Sequence, residues 1–242
     1  MFDHVTIRVA GRAASEPFYE TVLRTLGIET TYSTSTFAEW RDFSLAQADA
    51  GHPVTAGLHV AFVAPSREQV DAFWAAGTAA GHPDDGPPGP RTQYREDYYG
   101  AFLRDPDGNS VEAVHHGALR REGVVDHVWL RVADVAASAA FYRLIAPQAG
   151  FAARFESPER ATFGGGSGSF TVVPGWPSQN VHLAFASDDD DPIRQFHASA
   201  VAGGYRSHGE PGERPQYHPG YYSAYVLDPD GNNIEIVNHH RA

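Results

Sequence analysis

Residues 4–9 alternate in character: Val5, Ile7 and Val9 are apolar, while His4, Thr6 and Arg8 are polar. That period of two is the mark of a strand with one buried face. A helix is expected next, with Ser15 as its N-cap, Pro17 in its first turn and Phe18, Val22 and Leu26 along one face. Short strands are expected at 36–40 and 42–46. The order then restarts. Residues 58–63 read as a strand, and Ser66 with Gln69 forms a capping box opening a helix through Ala80. Strands at 99–104 and 110–114 follow, joined by the turn Asp105-Pro106-Asp107-Gly108-Asn109. The order is therefore βαβββ, twice. Only the stretches 83–90 and 209–220, rich in Pro and Gly, interrupt the rhythm.

The second half repeats the first. Asp3-His4-Val5 returns as Asp126-His127-Val128, His59 as His182, Tyr98-Tyr99 as Tyr221-Tyr222, Asp105 to Asn109 as Asp228 to Asn232, and Glu112 as Glu235, all at an offset of 123. So constant an offset indicates tandem copies. The seam falls in the polar stretch 117–123, giving expected domains at 1–119 and 124–242. The fold class follows: α+β, with four βαβββ modules in two tandem domains. Asp191 and Pro192 are expected to open the last helix. The glycines within 163–170 read as a hairpin turn rather than a phosphate loop, because no Lys follows them.

Composition narrows the chemistry. The chain has 242 residues and a formal charge of −12. Such acidity repels phosphate backbones, so nucleic acid is not an expected partner. No apolar run reaches the ~20 residues of a membrane span, and the N-terminus lacks the profile of a signal peptide. A cytoplasmic location is expected, with no membrane association. Cysteine is absent, which removes disulfides and thiolate sites. Thirteen histidines against one methionine stand out. His239 and His240, at the chain end, read as surface or tag-like histidines.

Other histidines recur at fixed spacing. His4, His59 and Glu112 in one half correspond to His127, His182 and Glu235 in the other. Two imidazoles and a carboxylate suit a divalent transition metal and leave coordination positions open. A structural zinc site would be closed by four protein ligands. No fourth ligand is evident, since the strand able to supply one reads Phe43-Ser44-Leu45 or Phe170-Thr171-Val172. A lone His on an apolar strand is more often a hydrogen-bonded core residue. The same spacing in both halves favours ligands.

These segments, DHVTIRVA with DHVWLRVA, LHVAFVA with VHLAFAS, and DPDGNSVEAV with DPDGNNIEIV, resemble the vicinal oxygen chelate superfamily. That group includes glyoxalase I, extradiol dioxygenases, methylmalonyl-CoA epimerase, fosfomycin-resistance enzymes and bleomycin-binding proteins. The resemblance covers nearly the whole chain. It implies paired modules whose curled mixed sheets surround a metal, held where His4, His59, Glu112, His127, His182 and Glu235 fall. The fourth glutamate of glyoxalase I has no counterpart here. In the second half, His218, Tyr225, Asp228, Pro229, Gly231 and Glu235 resemble the pattern of type I extradiol dioxygenases, although Gln216 and Ala224 depart from it. The resemblance gives His218 an acid–base role and Tyr225 a substrate-positioning one. Arg95 and Phe102 occupy the corresponding places in the first half.

The set His127, His182 and Glu235 is therefore expected to be the equipped catalyst. The expected function is a metal-dependent enzyme acting on a small vicinally oxygenated substrate, with extradiol-type dioxygenation and Fe(II) favoured. A glyoxalase-type lyase or isomerase, or a thiol transferase, would use Mn, Ni, Zn or Mg in the same site. A non-enzymatic binder of an aromatic antibiotic is the third reading. A monomer or a homodimer fits all three.

Overall fold

In the computed structural model, residues 1–166 and 168–240 are described. Four βαβββ modules follow one another. The first is β1 (Phe2–Val9), α1 (Arg12–Thr25), β2 (Tyr32–Ser33), β3 (Phe37–Trp40) and β4 (Phe43–Gln47). The second is β5 (His59–Val63), α2 (Arg67–Ala79), β6 (Asp84–Pro90), β7 (Tyr99–Arg104) and β8 (Ser110–His115). The third is β9 (Val125–Val132), α3 (Val135–Ala149), β10 (Ala152–Ser157), β11 (Arg160–Gly164) and β12 (Ser169–Pro174). The fourth is β13 (His182–Ala186), α4 (Asp190–Ala202), β14 (Ser207–Glu213), β15 (Tyr222–Leu227) and β16 (Asn233–Asn238). The fold class is α+β with mixed sheets. No helix among the described residues is long and apolar enough to cross a membrane.

The chain divides into two compact units, and these are not simply its sequence halves. One is Thr6–Trp129; the other joins Met1–Val5 to the chain from Leu130 onward. Strands β1 and β9 are each divided between them.

Within Thr6–Trp129, β5 pairs with β8 in parallel and with β9 in antiparallel, while β7 and β6 extend the sheet antiparallel beyond β8. Helix α1 buries Phe18, Tyr19, Val22 and Leu23. The Tyr19 ring packs 5.0 Å from Phe43, and Phe43 packs 4.9 Å from Phe62. The Tyr19 hydroxyl donates to buried Asp105 at 2.9 Å. The opposite Asp105 oxygen accepts from the backbone N–H groups of Asp107 and Asn109. Asn109 in turn accepts from Leu58 N–H at 3.1 Å. This turn fixes the parallel register that sets His59 beside Ser110 and Ala61 beside Glu112.

The other unit repeats the scheme. β13 pairs with β16 in parallel, and β15 then β14 extend that sheet antiparallel. β10, β11 and β12 form an antiparallel run. Tyr142 packs 4.7 Å from Phe170 and donates to Asp228 at 3.0 Å. Phe163 pairs with Phe170 across β11 and β12, the hairpin expected there; residue 167 in its turn lies outside the described residues.

Three local expectations change. Helix α1 starts at Arg12, ahead of Ser15, with Gly11 at its N-cap position. Gln47 on β4 accepts from the Arg12 N–H, so the start is satisfied by a residue distant in sequence. Helix α4 is capped by Asp189, which accepts from Asp191 N–H, two residues earlier than expected. The Pro/Gly-rich stretches form strands β6 and β14. Both lie at a sheet end and carry register shifts, the setting in which strands tolerate proline. Ser66 caps α2 as expected, accepting from Gln69 N–H.

Candidate metal centres

In the unit Thr6–Trp129, strands β9, β5 and β8 set His127, Ala61 and Glu112 in one row. His59 stands two residues from Ala61, on the same face of β5. The small Ala61 side chain leaves room for its neighbours to converge. His59 Nε2 lies 3.0 Å from Glu112 Oε2, and His127 Nε2 lies 3.4 Å from the same oxygen. In the other unit, His4 Nε2 lies 3.0 Å from His182 Nε2 and 3.5 Å from Glu235 Oε2. His182 Nε2 lies 3.0 Å from that oxygen too. Each trio brings its ligand atoms within 4.8 Å of one another.

The six residues expected from the sequence thus meet, but in different company. Neither His4–His59–Glu112 nor His127–His182–Glu235 forms. His4 joins His182 and Glu235, while His127 joins His59 and Glu112. The cause is the division of β1 and β9: the first histidine of each sequence half belongs to the unit built mainly from the other half. Among the described residues, no fourth His, Asp or Glu joins either trio.

Both donor sets fit a divalent cation. Two imidazole nitrogens and one carboxylate oxygen lie within 4.8 Å of one another in each, and both carboxylates are only 1% exposed. Burial pushes the Glu112 carboxyl up, but hydrogen bonds from His127 and His59, with their charge, bring it down to about 2. Glu235 is likewise raised by burial and lowered below the usual carboxylate range by His182 and His4. Both carboxylates are therefore held ionised, as ligands must be.

Three tyrosines and one phenylalanine edge the sites. Tyr98 donates to Glu112 Oε1 at 2.7 Å, and Tyr221 donates to Glu235 Oε1 at 2.8 Å. From each Tyr-Tyr pair, this is the member that faces the ligands. Tyr225 pairs across the sheet with Glu235, and its ring lies 6.2 Å from His182. Burial and the Glu235 charge push the Tyr225 phenol well up, so it stays a hydrogen-bond donor at neutral pH. Phe102 holds the equivalent place opposite Glu112 and has no hydroxyl.

His218 does not touch the ligands. It reaches them through His239 and Asp3. His218 Nε2 lies 2.8 Å from His239 Nδ1, His239 Nε2 lies 3.0 Å from Asp3, and Asp3 lies 2.7 Å from His4 Nδ1. His218 Nδ1 also donates to the Pro219 carbonyl. His239 is thus a half-buried network member, not the tag-like residue expected. The other unit carries the same chain from His116 through Asp126 to His127. At the position of His218 it has Arg95, which bonds Asp97 instead and does not release a proton at ordinary pH. The signal was available: His116 and His239, like Asp3 and Asp126, share the offset of 123.

A family model described as Glyoxalase/Bleomycin resistance protein/Dioxygenase superfamily matches residues 1–113 and again 124–236. The chain belongs to this superfamily. The glyoxalase I of Zea mays is similar in fold over 98% of this chain and 92% of its own, at 17% identity and a TM-score of 0.70. A putative dioxygenase from Bacillus subtilis subsp. subtilis str. 168 is similar over 100% of this chain and 86% of its own, at 13% identity and a TM-score of 0.67. A glyoxalase/bleomycin resistance protein from Albidiferax ferrireducens T118 shares 38% identity over 48% of this chain and 99% of its own, with a TM-score of 0.44. No curated protein matches the sequence. Superfamily membership accounts for the paired modules. It does not choose among the superfamily's reactions.

Proposed function

We propose that this superfamily member is a metal-dependent enzyme acting on a small vicinally oxygenated substrate, and that its reaction is extradiol-type dioxygenation. The catalytic centre is His4, His182 and Glu235. One observation carries the choice of centre: Tyr225, a neutral phenol, faces Glu235, where the other centre has Phe102.

A divalent metal bound there would act as a Lewis acid lowering the pKa of a chelating hydroxyl, and iron(II) would add redox capacity toward dioxygen. The residues of the chain do the rest. Tyr221 holds Glu235 by its outer oxygen, leaving Oε2 turned to the two imidazoles. Asp3 accepts from His4 Nδ1 and so fixes the tautomer that presents Nε2. Tyr225 donates a hydrogen bond to a substrate oxygen. The His218–His239 pair is the acid–base group, joined to His4 through Asp3.

The test is to load the protein with iron(II) without air and then add a panel of catechols with oxygen. Oxygen uptake together with a ring-cleavage chromophore is expected. Turnover supported by zinc without oxygen consumption would instead indicate isomerase or lyase chemistry.

A further inference from the structure

The two centres share their ligands and differ in what stands behind the second histidine. In the unit Thr6–Trp129, Arg104 donates to Asp85 at 2.6 Å. Ser110 donates its hydroxyl hydrogen to the other Asp85 oxygen at 2.8 Å. With that hydrogen committed, the Ser110 oxygen accepts from His59 Nδ1 at 3.0 Å. A metal on Nε2 would leave the His59 ring hydrogen on Nδ1, where the Ser110 oxygen holds it. His127 is locked the same way by Asp126 at 2.9 Å. Both imidazoles are backed by a carboxylate.

The other unit lacks this arrangement. The residues 123 positions on from Asp85, Arg104 and Ser110 are His208, Leu227 and Asn233. The Asn233 carboxamide nitrogen lies 2.7 Å from His182 Nδ1, while its carbonyl oxygen is buried without a partner. What stands behind His182 is thus a neutral carboxamide, where His59 has Ser110 backed by the Asp85 carboxylate.

The face of β7 beside the locked centre also differs. It carries Gly100 and Phe102, where β15 carries Ser223 and Tyr225. The locked centre has no hydroxyl at either place.

We propose that His59, Glu112 and His127 form a resident, tight metal site without turnover, and that His4, His182 and Glu235 form the weaker, exchangeable one. Asp85 and Ser110 are the positioning residues of the tight site. This inference rests on reading both trios as metal centres. Carboxylates behind ligating histidines are worth about 10- to 100-fold in metal affinity, so the two classes are expected to differ by at least about tenfold.

The experiment is a cobalt(II) titration of the metal-free full chain, followed by tryptophan fluorescence and by equilibrium dialysis. The Trp129 ring lies 6.2 Å from the His59 ring and reports on that centre. Two classes of one ion each are expected, with the first equivalent quenching fluorescence and the quench largely absent in Trp129→Phe. Asp85→Asn and Ser110→Ala are expected to weaken the first class about 10- to 100-fold and leave the second unchanged. Two equal classes, a first equivalent that spares Trp129, or an unchanged first class in both variants would overturn the proposal. Absence of any cobalt binding would overturn it together with the metal-dependent function; the other outcomes leave that function standing.

Discussion

Tyr221 donates its phenolic hydrogen to Glu235 at 2.8 Å, on a carboxylate that is 1% exposed. That bond fixes which carboxylate oxygen faces the imidazoles. Tyr221→Phe is expected to lower stability by about 1.5–3 kcal/mol, the range for a hydrogen bond to a charged group. Urea unfolding of the metal-free protein measures it. Unchanged stability would show that Glu235 finds its orientation elsewhere.

Tyr225→Phe makes the proposed catalytic centre resemble its counterpart at Phe102. Turnover is expected to fall about a hundredfold or more, while metal stoichiometry stays the same. Steady-state kinetics beside metal analysis separates the two effects. Wild-type turnover would remove Tyr225 from the reaction.

His218→Arg copies Arg95 and removes the imidazole that meets His239. A loss of turnover of similar size is expected, with the metal retained and the alkaline and acid limbs of the pH–rate profile altered. An unchanged profile would make His218 a bystander.

The metal-free unit Thr6–Trp129 is expected to be most stable near pH 6.5. Burial lowers His127, but Asp126 and Glu112 outweigh it and raise the group from 6.5 to about 10. Its contribution is complete below the unfolded value and is lost as pH rises toward about 10. Burial depresses His59 from 6.5, so its contribution is lost as pH falls below that value. Glu112, lowered from 4.5 to about 2, loses its contribution as pH falls through that window. Denaturant midpoints across pH 4 to 10 check this, and a midpoint that rises steadily to pH 10 would contradict it.

Much of this was legible in the sequence because it is local. Alternation and helical spacing mark the modules, and the constant offset marks the six ligands and the Tyr-Tyr strands. What the sequence hides is pairing at a distance. His4 and His182 are 178 residues apart, and no local pattern says that they meet. The first half of β1 lies in one unit and its end in the other, so the spacing His4–His59–Glu112 suggested a trio that does not form. The start of α1 was misplaced for a similar reason, since Gln47 satisfies it from β4. His239 looked like a chain-end histidine because its partner, Asp3, lies at the opposite terminus.

The stretch before β9 is clasped by a buried pair. Arg120 bonds the Asp42 carboxylate, which also accepts from Val124 N–H at 2.6 Å. Gly123 stands at φ 98, and a Cβ there would collide with both charged groups. Asp42→Ala removes the carboxylate from a buried guanidinium that keeps its bond to the Val125 carbonyl, and is expected to cost about 3–5 kcal/mol. Thermal unfolding of the variant checks it; an unchanged midpoint would mean that Arg120 has another anchor.

The grouping of the ligands is tested most directly by the metal stoichiometry of two double variants. His4→Ala with His182→Ala strikes one centre in the structure and is expected to leave one metal ion per chain. His4→Ala with His59→Ala strikes both and is expected to leave none. The opposite pattern, none for the first pair and one for the second, would mean that each sequence half keeps its own trio.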